Sequence, residues 1–406
     1  MGTNTSTMAP MYLVGFFARF SYALARSPVL PLFAMYLGAG PEAIGLAVGI
    51  STVTGIFFKL PSGALSDIIG RRHTMLIGLV VFAVMPFTYM LIHDYQMLVI
   101  VRFLHGFATA VYGPVAMAVV ADIAGERRGE ALSWFSSVTI IGNLIGAPVG
   151  GYLLHHGGVA KDPALLDFQI VYVISGVLGV ISLLIGIKYL KGKENIEKGK
   201  TLKESLKKFT SGIKEVVSDK RVLITSNMEG IQNMCMGALE AFLPIYCVKV
   251  AGLNEFQAGL LWGVQVISTI VSKPLMGRSS DKYGRVPIIA VGLLMCAVSF
   301  GSIPLVTSFY LLMGAAVVFG LGEAFVTSSS AALVADICKE KHYGTAMGTF
   351  GTIFDVGHAS GPIVTGILLA GFNNNYKYAF WILSALVLLI IPVFVMTMRV
   401  KKHTVY

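Results

Sequence analysis

The sequence predicts an all-α membrane protein in which twelve transmembrane helices form two pseudo-symmetric bundles of six. Three observations predict this class: the chain has little charge, its apolar stretches are long enough to cross a bilayer, and one charged turn occurs twice. Hydrophobic residues make up 55% of the chain and charged residues 13%, whereas a soluble domain has about 25% charged residues. The composition therefore excludes an ordinary soluble protein.

Twelve apolar stretches follow one another along the chain, and a membrane-crossing helix needs roughly 20 such residues. In lipid the backbone must satisfy its own polar groups, so a spanning segment is either a helix or a strand of a closed barrel. Runs such as LIGLVVFAVM lack the alternation of barrel strands. We therefore predict helices at about 9–37, 43–66, 73–93, 95–122, 130–156, 166–190, 221–250, 255–277, 286–306, 308–336, 343–371 and 376–398.

The charged turn lies at matching places in the two halves of the chain. Residues 59–72 read KLPSGALSDIIGRR and residues 273–286 read KPLMGRSSDKYGRV, and they align when one half is shifted by 214 positions. The same shift aligns VVADIAGE at 119–126 with LVADICKE at 333–340. Two halves with six helices each are parallel repeats, a plan that places a cavity between them and is typical of transporters.

A polar break separates the two copies and sets the domain boundaries. We predict an N-terminal six-helix bundle at 1–190, a cytoplasmic linker at 191–220 and a C-terminal six-helix bundle at 221–406. Apolar residues in the lysine-rich linker recur at helical spacing. The linker is therefore either an amphipathic helix on the cytoplasmic face or a simple tether.

The net charge of +10 does not indicate a nucleic-acid partner, because the basic residues follow membrane topology. Most of the 31 lysines and arginines fall in loops on one side, and Lys161, Lys249 and Lys377 fall in loops on the other. Loops rich in lysine and arginine stay in the cytoplasm. We expect a multi-pass protein of the plasma (cell inner) membrane, with both termini cytoplasmic and lipid as its surroundings.

The turn at 63–72, GALSDIIGRR, resembles the signature loop of the major facilitator superfamily at every key position, and the resemblance covers essentially the whole chain. It implies a secondary active transporter that works by alternating access, generally as a monomer. The glycines let the turn and a neighbouring helix approach, and the acid beside the arginines forms a charge latch that can break. The expected conformational gate consists of Gly63, Asp67, Gly70, Arg71, Arg72, Asp281, Gly284 and Arg285, with Asp122 and Asp336 placed nearby.

Three further stretches resemble the twelve-helix drug:proton antiporters of that superfamily. They are PVLP at 28–31, RFLHG at 102–106 and NLIGAPVGGY at 143–152. His105 stands where these exporters have a glutamine, and Ala147 and Tyr152 replace glycines of the antiporter motif. The resemblance implies a proton-coupled exporter of small organic compounds, an efflux function. The small residues at 143–152 also suit close helix packing.

Charged residues inside apolar segments are the best candidates for a site, since a charge at mid-bilayer is costly unless it faces a cavity or a partner. The two halves differ in the sign of these charges. The N-terminal half has Arg19, Arg26, Lys59 and Arg102, whereas the C-terminal half has Glu229, Glu240, Glu323 and Asp355 with one base, Lys273. Lys59 and Lys273 lie near the cytoplasmic ends of their segments, where long side chains reach the interface.

One face of the first segment presents Arg19, Tyr22 and Arg26 at i, i+3, i+7 spacing. The repeat places Asn233 and Glu240 at the positions of Arg19 and Arg26 in the other half. We expect Arg26 and Glu240 to form an ion pair across the cavity that breaks and re-forms during transport. The expected substrate-binding residues are Arg19, Tyr22, Arg26, Arg102, Asn233 and Glu240.

A carboxyl in an apolar cavity binds its proton more tightly than one in water, as a proton carrier needs. Glu323 lies in the middle of the tenth segment, and Asp355 lies one turn before His358 in the eleventh. The expected proton-coupling residues are Glu323, Asp355, His358 and His105.

The chain has neither metal-ligand spacing nor a nucleotide-binding loop, so we expect no catalytic residue, no metal and no cofactor, and a proton or other ion gradient as the driving force. The basic N-terminal half also suits a carrier of anionic or zwitterionic metabolites, such as organic acids or organic phosphates, with uptake as a direction. An enzyme, a receptor or a channel is disfavoured, because no nucleophile motif, soluble domain or ion filter is visible.

Overall fold

A computed structural model describes residues 5–157, 163–190, 219–337 and 343–399. In these ranges the chain forms thirteen α-helices and three short 3₁₀ helices, at Tyr89–Leu91, Gly125–Arg127 and Ile303–Leu305. The α-helices are α1 Thr5–Leu24, α2 Val29–Tyr36, α3 Pro41–Ile69, α4 Arg71–Thr88, α5 Tyr95–Ala124, α6 Arg128–Gly157, α7 Leu165–Tyr189, α8 Lys220–Lys249, α9 Glu255–Tyr283, α10 Arg285–Ser302, α11 Phe309–Ile337, α12 Tyr343–Gly371 and α13 Tyr376–Arg399.

Eleven helices of the described ranges, α3 to α13, are long and apolar enough to cross a membrane. The remaining predicted span, 9–37, consists of α1 and α2, which are separated by residues 25–28. Pro28 precedes α2, and a proline has no backbone N–H to continue the preceding helix. The prediction of an all-α protein with twelve apolar spans is confirmed, with the first span broken. The predicted linker helix lies outside the described residues.

The repeated turn joins consecutive helices at the same place in each half. Gly70 lies between α3 and α4 with φ +96°, and Gly284 lies between α9 and α10 with φ +91°. Backbone angles in such sparsely populated regions cost about 1–3 kcal/mol for a residue with a Cβ atom. Glycine at these two positions therefore allows a sharp break between two long helices.

Close packing of glycines joins one pair of helices in each half, α1 with α6 and α8 with α12. A Cβ atom on Gly146 would lie 2.8 Å from the backbone nitrogen of Leu24, and one on Gly150 would lie 2.8 Å from the carbonyl oxygen of Leu24. In the other half, Gly361 lies directly against the carbonyl of Met234. The packing role predicted for the small residues at 143–152 is therefore confirmed.

The described residues cluster into two compact units. The N-terminal unit contains residues 5–39, 50–157 and 163–190, and the C-terminal unit contains residues 40–49, 219–337 and 343–399. Residues 40–49, the start of α3, thus cluster with the second half of the chain, although the repeat assigns them to the first.

Candidate functional site

A buried arginine forms the polar centre of the N-terminal unit. The side chain of Arg102 on α5 is fully buried. Its Nη2 donates a hydrogen bond of 2.7 Å to Ser51 Oγ on α3. Its Nη1 donates one of 3.4 Å to the hydroxyl of Tyr89 in the 3₁₀ helix after α4. Both of these partners are neutral, so polar groups from two other helices solvate this cation inside the unit.

The ring of Tyr22 in α1 lies near two of the predicted substrate-binding arginines. Its ring centroid is 5.5 Å from the guanidinium carbon of Arg26 and 5.7 Å from that of Arg102. A cation near an aromatic face gains about 0.5–2 kcal/mol, the larger value when water is excluded. The Tyr22 hydroxyl also donates to Ser51 Oγ at 3.3 Å. The structure therefore brings three predicted residues together around one ring.

Arg19 lies on the same face of α1, half-buried among tyrosines. It interacts electrostatically with Tyr112 and Tyr22, and with the cation of Arg26. Gly113 of α5 packs next to the guanidinium group of Arg19: a Cβ atom on Gly113 would lie 3.9 Å from Arg19 Nη2. Arg19 and Tyr22 thus share one face of α1, as the spacing predicts, whereas Arg26 lies beyond the end of α1 and reaches the Tyr22 ring from the break before α2.

His105 is buried one turn after Arg102 on α5. Its Nδ1 lies 3.1 Å from the Tyr89 hydroxyl, and its ring packs edge-on against Tyr22 with centroids 5.3 Å apart. Within the described residues its Nε2 has no hydrogen-bond partner. A second cation beside Arg102 would be unfavourable in a low-dielectric interior. These contacts show a packing role for His105, and its part in proton coupling stays a prediction.

The polar centre of the C-terminal unit is a buried acid, Glu323 on α11. Its Oε2 accepts hydrogen bonds from two side chains of α9: Gln265 Nε2 at 2.5 Å and Thr269 Oγ1 at 2.9 Å. Glu323 also interacts electrostatically with Lys273 and His358. Glu323 is one of the acids that the sequence identifies in membrane segments. An amide and a hydroxyl bind its carboxyl group in the interior of the C-terminal unit.

The two polar centres use equivalent positions of the repeat. A shift of 214 places Ser51, which accepts from Arg102, on Gln265, which donates to Glu323. Both lie on the second helix of their half, at a close crossing with the fourth. Gly106 of α5 packs on the backbone carbonyl of Ser51, and Gly320 of α11 packs on that of Gln265. Ser51 and Gln265 were not among the predicted residues, although a polar residue at the same repeat position in both apolar halves is a visible signal.

Glu229 on α8 is a second buried acid of the C-terminal unit, with 2% of its surface exposed. It accepts a hydrogen bond from Ser330 Oγ on α11. It also interacts electrostatically with Lys273 and Glu323. The sequence assigned Lys273 to the membrane interface, and its charge also acts electrostatically on these two acids.

Glu240 and His358 form a pair between α8 and α12. Glu240 Oε2 lies 3.0 Å from His358 Nε2, and 3% of the Glu240 side chain is exposed. Asp355, one turn before His358, is half-buried. Asn233 is buried on α8, and its Oδ1 has no hydrogen-bond partner among the described residues. The structure therefore brings two predicted residues, Glu240 and His358, into contact, and the predicted pairing of Arg26 with Glu240 stays a prediction.

Each half has a salt bridge at its charged turn. Arg71 pairs with Asp122 at 2.5 Å, and Arg285 pairs with Asp336 at 3.1 Å. Arg285 also pairs with Asp281 of its own turn. The latch predicted inside the turn is thus present at Arg285. In both halves the latch extends to an acid at the end of the fourth helix of the repeat, which agrees with the placement of Asp122 and Asp336 near the gate.

Other residues of the predicted gate have different outcomes. The side chain of Asp67 lies outside the described side chains. Arg72 is half-buried next to Arg71. A Cβ atom on Gly63 would meet nothing within 4 Å among the described residues, so the close approach predicted for this glycine is not seen. Gly70 and Gly284 serve the turn through their positive φ angles.

Two six-helix repeats with buried charges define the class of protein, a multi-pass membrane transporter. The sequence profile of the Major Facilitator Superfamily matches residues 11–272 and 252–405. The chain therefore belongs to this superfamily of secondary transporters and is not an enzyme. Within the described residues, no group of three or more histidines, cysteines or acids is placed to hold a metal ion.

Proteins that are similar to this chain in sequence or in fold differ in what their names say they transport. An uncharacterised MFS-type transporter of Methanocaldococcus jannaschii is 26% identical over 380 residues, which is 92% of each chain. The multidrug transporter MdfA of Yersinia pestis is 28% identical over 282 residues, 66% of this chain and 65% of MdfA. The crystal structure of the nucleoside transporter NupG superposes with a TM-score of 0.79 at 14% identity, over 97% of this chain and 100% of that one.

Proposed function

We propose that this transporter is a proton-coupled exporter of small organic compounds that works by alternating access. Glu323 is the observation that supports proton coupling most strongly. Its carboxyl is buried in a membrane-spanning helix, and an amide, a hydroxyl and the nearby charge of Lys273 stabilise its ionised form. A buried acid with such partners can exist with and without its proton, which a proton carrier requires.

The proposed roles divide between the two units. In the N-terminal unit, Arg19, Tyr22, Arg26 and Arg102 bind the substrate, and His105 supports this group. In the C-terminal unit, Asn233 and Glu240 bind the substrate, while Glu323, Asp355 and His358 transfer the proton. The salt bridges of Arg71 and Arg285 stabilise one conformation at the cytoplasmic turns and break in the other.

Export is supported by the multidrug name of a relative at 28% identity, together with the resemblance of 28–31, 102–106 and 143–152 to drug:proton antiporters. The proposed location is the plasma membrane. Both termini are proposed to be cytoplasmic, because they lie on the same side of the membrane as the loops rich in lysine and arginine. The protein is proposed to work as a monomer without a bound cofactor and to use the proton gradient as its energy source.

A second candidate function is transport of anionic or zwitterionic metabolites. Two guanidinium groups within 6 Å of the Tyr22 ring centroid favour it, because arginine binds carboxylate and phosphate groups in a bidentate manner. In that case the anion binds in the N-terminal unit and the proton in the C-terminal unit, and the direction is uptake.

Transport in proteoliposomes with an imposed pH gradient tests both functions. We expect the wild-type protein to move a labelled lipophilic cation against its gradient when the pH gradient is imposed, and an organic anion to move instead if the second function is correct. The variant Glu323→Gln is expected to lose this response to the pH gradient. Exchange of substrate without a gradient is expected to continue in this variant.

The matched control is Glu130→Gln, which makes the same change at an exposed residue that pairs with Arg127 at 2.5 Å. We expect its transport to equal that of the wild type. A wild-type protein whose transport of both compounds ignores the pH gradient contradicts proton coupling.

A further inference from the structure

His105 is the last of three side chains that form a hydrogen-bonded chain inside the N-terminal unit. Arg102 Nη1 lies 3.4 Å from the hydroxyl oxygen of Tyr89, and this oxygen lies 3.1 Å from His105 Nδ1. All three side chains are buried. Because bulk water does not reach them, each of their polar hydrogens needs a partner inside the protein.

The contact with Arg102 fixes the direction of the contact with His105. A guanidinium group only donates hydrogen bonds, so the Tyr89 oxygen accepts from Arg102. The hydroxyl has one hydrogen of its own, and its other hydrogen-bond partner among the described residues is His105 Nδ1. Tyr89 therefore donates to Nδ1. This nitrogen is then the unprotonated one, and the ring hydrogen of His105 lies on Nε2.

The opposite tautomer of His105 leaves more groups without a partner. With the ring hydrogen on Nδ1, the Tyr89 oxygen would accept from both neighbours. The hydroxyl hydrogen would then be unpaired, and Nε2 would be a second unpaired group. With the ring hydrogen on Nε2, this N–H alone lacks a partner among the described residues. Since an unpaired buried polar group is costly, the hydrogen bonds select the form protonated on Nε2.

The groups around His105 also disfavour a second proton on its ring. The titratable groups near His105 and Tyr89 include Tyr22 in α1, Arg102 in α5, Tyr172 in α7 and Arg26 beside the Tyr22 ring. Within the described part of the chain, the contacts of His105 include no carboxyl group. An imidazolium would place a second cation beside Arg102 in a low-dielectric interior, and it would remove the acceptor of the Tyr89 hydroxyl.

We propose that His105 is a positioning residue for Arg102 and not a proton carrier. Its unprotonated Nδ1 binds the hydrogen of the Tyr89 hydroxyl, so the lone pairs of this oxygen face the guanidinium group. The ring stays neutral, with its hydrogen on Nε2, over the pH range in which the transporter works. This inference rests on the substrate-binding role proposed for Arg102, and it separates His105 from the proton-coupling residues.

Nitrogen-15 NMR of the protein in lipid, with labelled histidine rings, measures the tautomer without any substrate. The ring nitrogen that has the hydrogen differs clearly in chemical shift from the one that lacks it, and both shifts change when an imidazolium forms. The signals of His105 are those that disappear in His105→Phe. We expect the hydrogen on Nε2 and constant shifts from about pH 5 to about pH 8.

Tyr89→Phe tests what causes this tautomer. The variant keeps the ring that packs against His105 and stacks on Tyr172, but it has no hydroxyl. We expect signals of both tautomers of His105, because Nδ1 has lost its donor. Three results overturn the proposal: shifts of His105 that titrate in this pH range, a ring hydrogen on Nδ1 in the wild-type protein, or a spectrum that Tyr89→Phe leaves unchanged.

Transport in proteoliposomes measures the positioning of Arg102, with tetraphenylphosphonium as a cationic probe and benzoate as an anionic one. The repeat has Phe319 at the position equivalent to His105, so a phenylalanine suits this helix crossing. We expect His105→Phe and Tyr89→Phe each to raise the probe concentration at half-maximal rate about tenfold. The double variant should raise it no further, because both changes break the same chain.

His105→Asn keeps an acceptor near the place of Nδ1 and is expected to recover most of the loss. The pH midpoint of transport should stay at its wild-type value in all of these variants. His93→Phe, the same change at an exposed histidine, is the matched control and should transport like the wild type. Effects that multiply in the double variant, or a midpoint that moves in His105→Phe, overturn the positioning role.

The two measurements separate this inference from the proposed function. If the wild-type protein moves neither probe in response to the pH gradient, the proposed function fails, and the NMR spectra still decide whether the tautomer of His105 is fixed. If transport follows the pH gradient but the signals of His105 titrate, the proposed function stands and the positioning role fails.

Discussion

The two units place opposite charges on the same architecture. In the N-terminal unit a serine on the second helix of the repeat accepts a hydrogen bond from Arg102, and in the C-terminal unit the glutamine at the equivalent position donates one to Glu323. The backbone crossing beside each is the same, with Gly106 and Gly320 against the neighbouring carbonyl. Duplication has therefore kept the helix packing while the charged side chains have diverged.

This divergence separates a permanent charge from one that can change. A guanidinium group stays protonated throughout the pH range in which proteins work. A carboxyl group gains and loses its proton within that range when its surroundings allow it. We therefore expect pH to act on the C-terminal unit and substrate charge to act on the N-terminal unit. Two experiments test this division of roles, and a third tests the turns that the units have in common.

Arg102→Lys is expected to have the greatest effect of the three. A single ammonium group cannot reproduce the two directed bonds to Ser51 and Tyr89, and a hydrogen bond to a charged group contributes about 1.5–3 kcal/mol. We expect the transport rate in proteoliposomes to fall at least about tenfold, by the same factor at every pH.

Arg399→Lys, the same change at an exposed helix end, is the matched control and should keep the wild-type rate. A rate for Arg102→Lys that recovers at low or high pH would contradict a permanent charge in the N-terminal unit.

A matched pair of variants at the equivalent repeat positions gives the second experiment. Gln265→Leu removes a hydrogen bond to the ionised form of Glu323. The ionised form is therefore destabilised by about 1.5–3 kcal/mol relative to the protonated form. We expect the pH midpoint of transport to move up by about one to two pH units, since one unit corresponds to about 1.4 kcal/mol. Ser51→Ala removes a partner of Arg102 and is expected to lower the rate without moving the midpoint.

The pH profile of transport measures both variants. Equal shifts of the midpoint in the two variants would show that proton binding is not confined to the C-terminal unit.

The weakest effect is expected at the turns, where the two units are alike. An alanine at Gly70 or Gly284 must adopt a positive φ angle, at a cost of about 1–3 kcal/mol. We expect Gly70→Ala and Gly284→Ala to lower the melting temperature in detergent by similar amounts. Gly277→Ala is the control, because a Cβ atom there meets nothing within 4 Å of the described residues and alanine favours a helix interior.

Unequal effects of the two turn variants would show that the turns differ in more than sequence. A loss of stability in Gly277→Ala that equals theirs would mean that the φ angle is not the cause.

The fold could be predicted from the sequence because apolar length and repeated turns leave few alternatives in a membrane. The buried charges could also be found, since Arg102 and Glu323 stand out in apolar segments. Their neutral partners could not, because serine and glutamine are common and the partner lies about 50 residues away on another helix. The role of Lys273 was assigned incompletely for a related reason. Its position near the end of the predicted segment suggested only the membrane interface. Its electrostatic interaction with the buried acids depends on how α9 packs against α8 and α11, which the sequence does not give.

The latch shows the same limit at the turns. The acids and arginines of the repeated turn were predicted as partners because they are neighbours in sequence. Asp122 and Asp336 contribute only because the end of the fourth helix of each repeat (α5 and α11) lies beside the start of the third (α4 and α10). That arrangement depends on tertiary packing. Exposed pairs of this kind contribute about 0–1 kcal/mol, so they can break during a conformational change.

The break between α1 and α2 gives the backbone a part in the charge asymmetry. α1 ends at Leu24, so Arg26 follows the end of a helix whose last carbonyl groups form the negative pole of the helix dipole. A cation there gains about 0.3–1 kcal/mol, and up to about 2 kcal/mol when partly buried. At the equivalent position in the C-terminal unit α8 runs without interruption from Lys220 to Lys249, and Glu240 has no helix end beside it. A continuous first span in an engineered variant would therefore weaken the preference for a positive charge at position 26, even with every side chain around it unchanged.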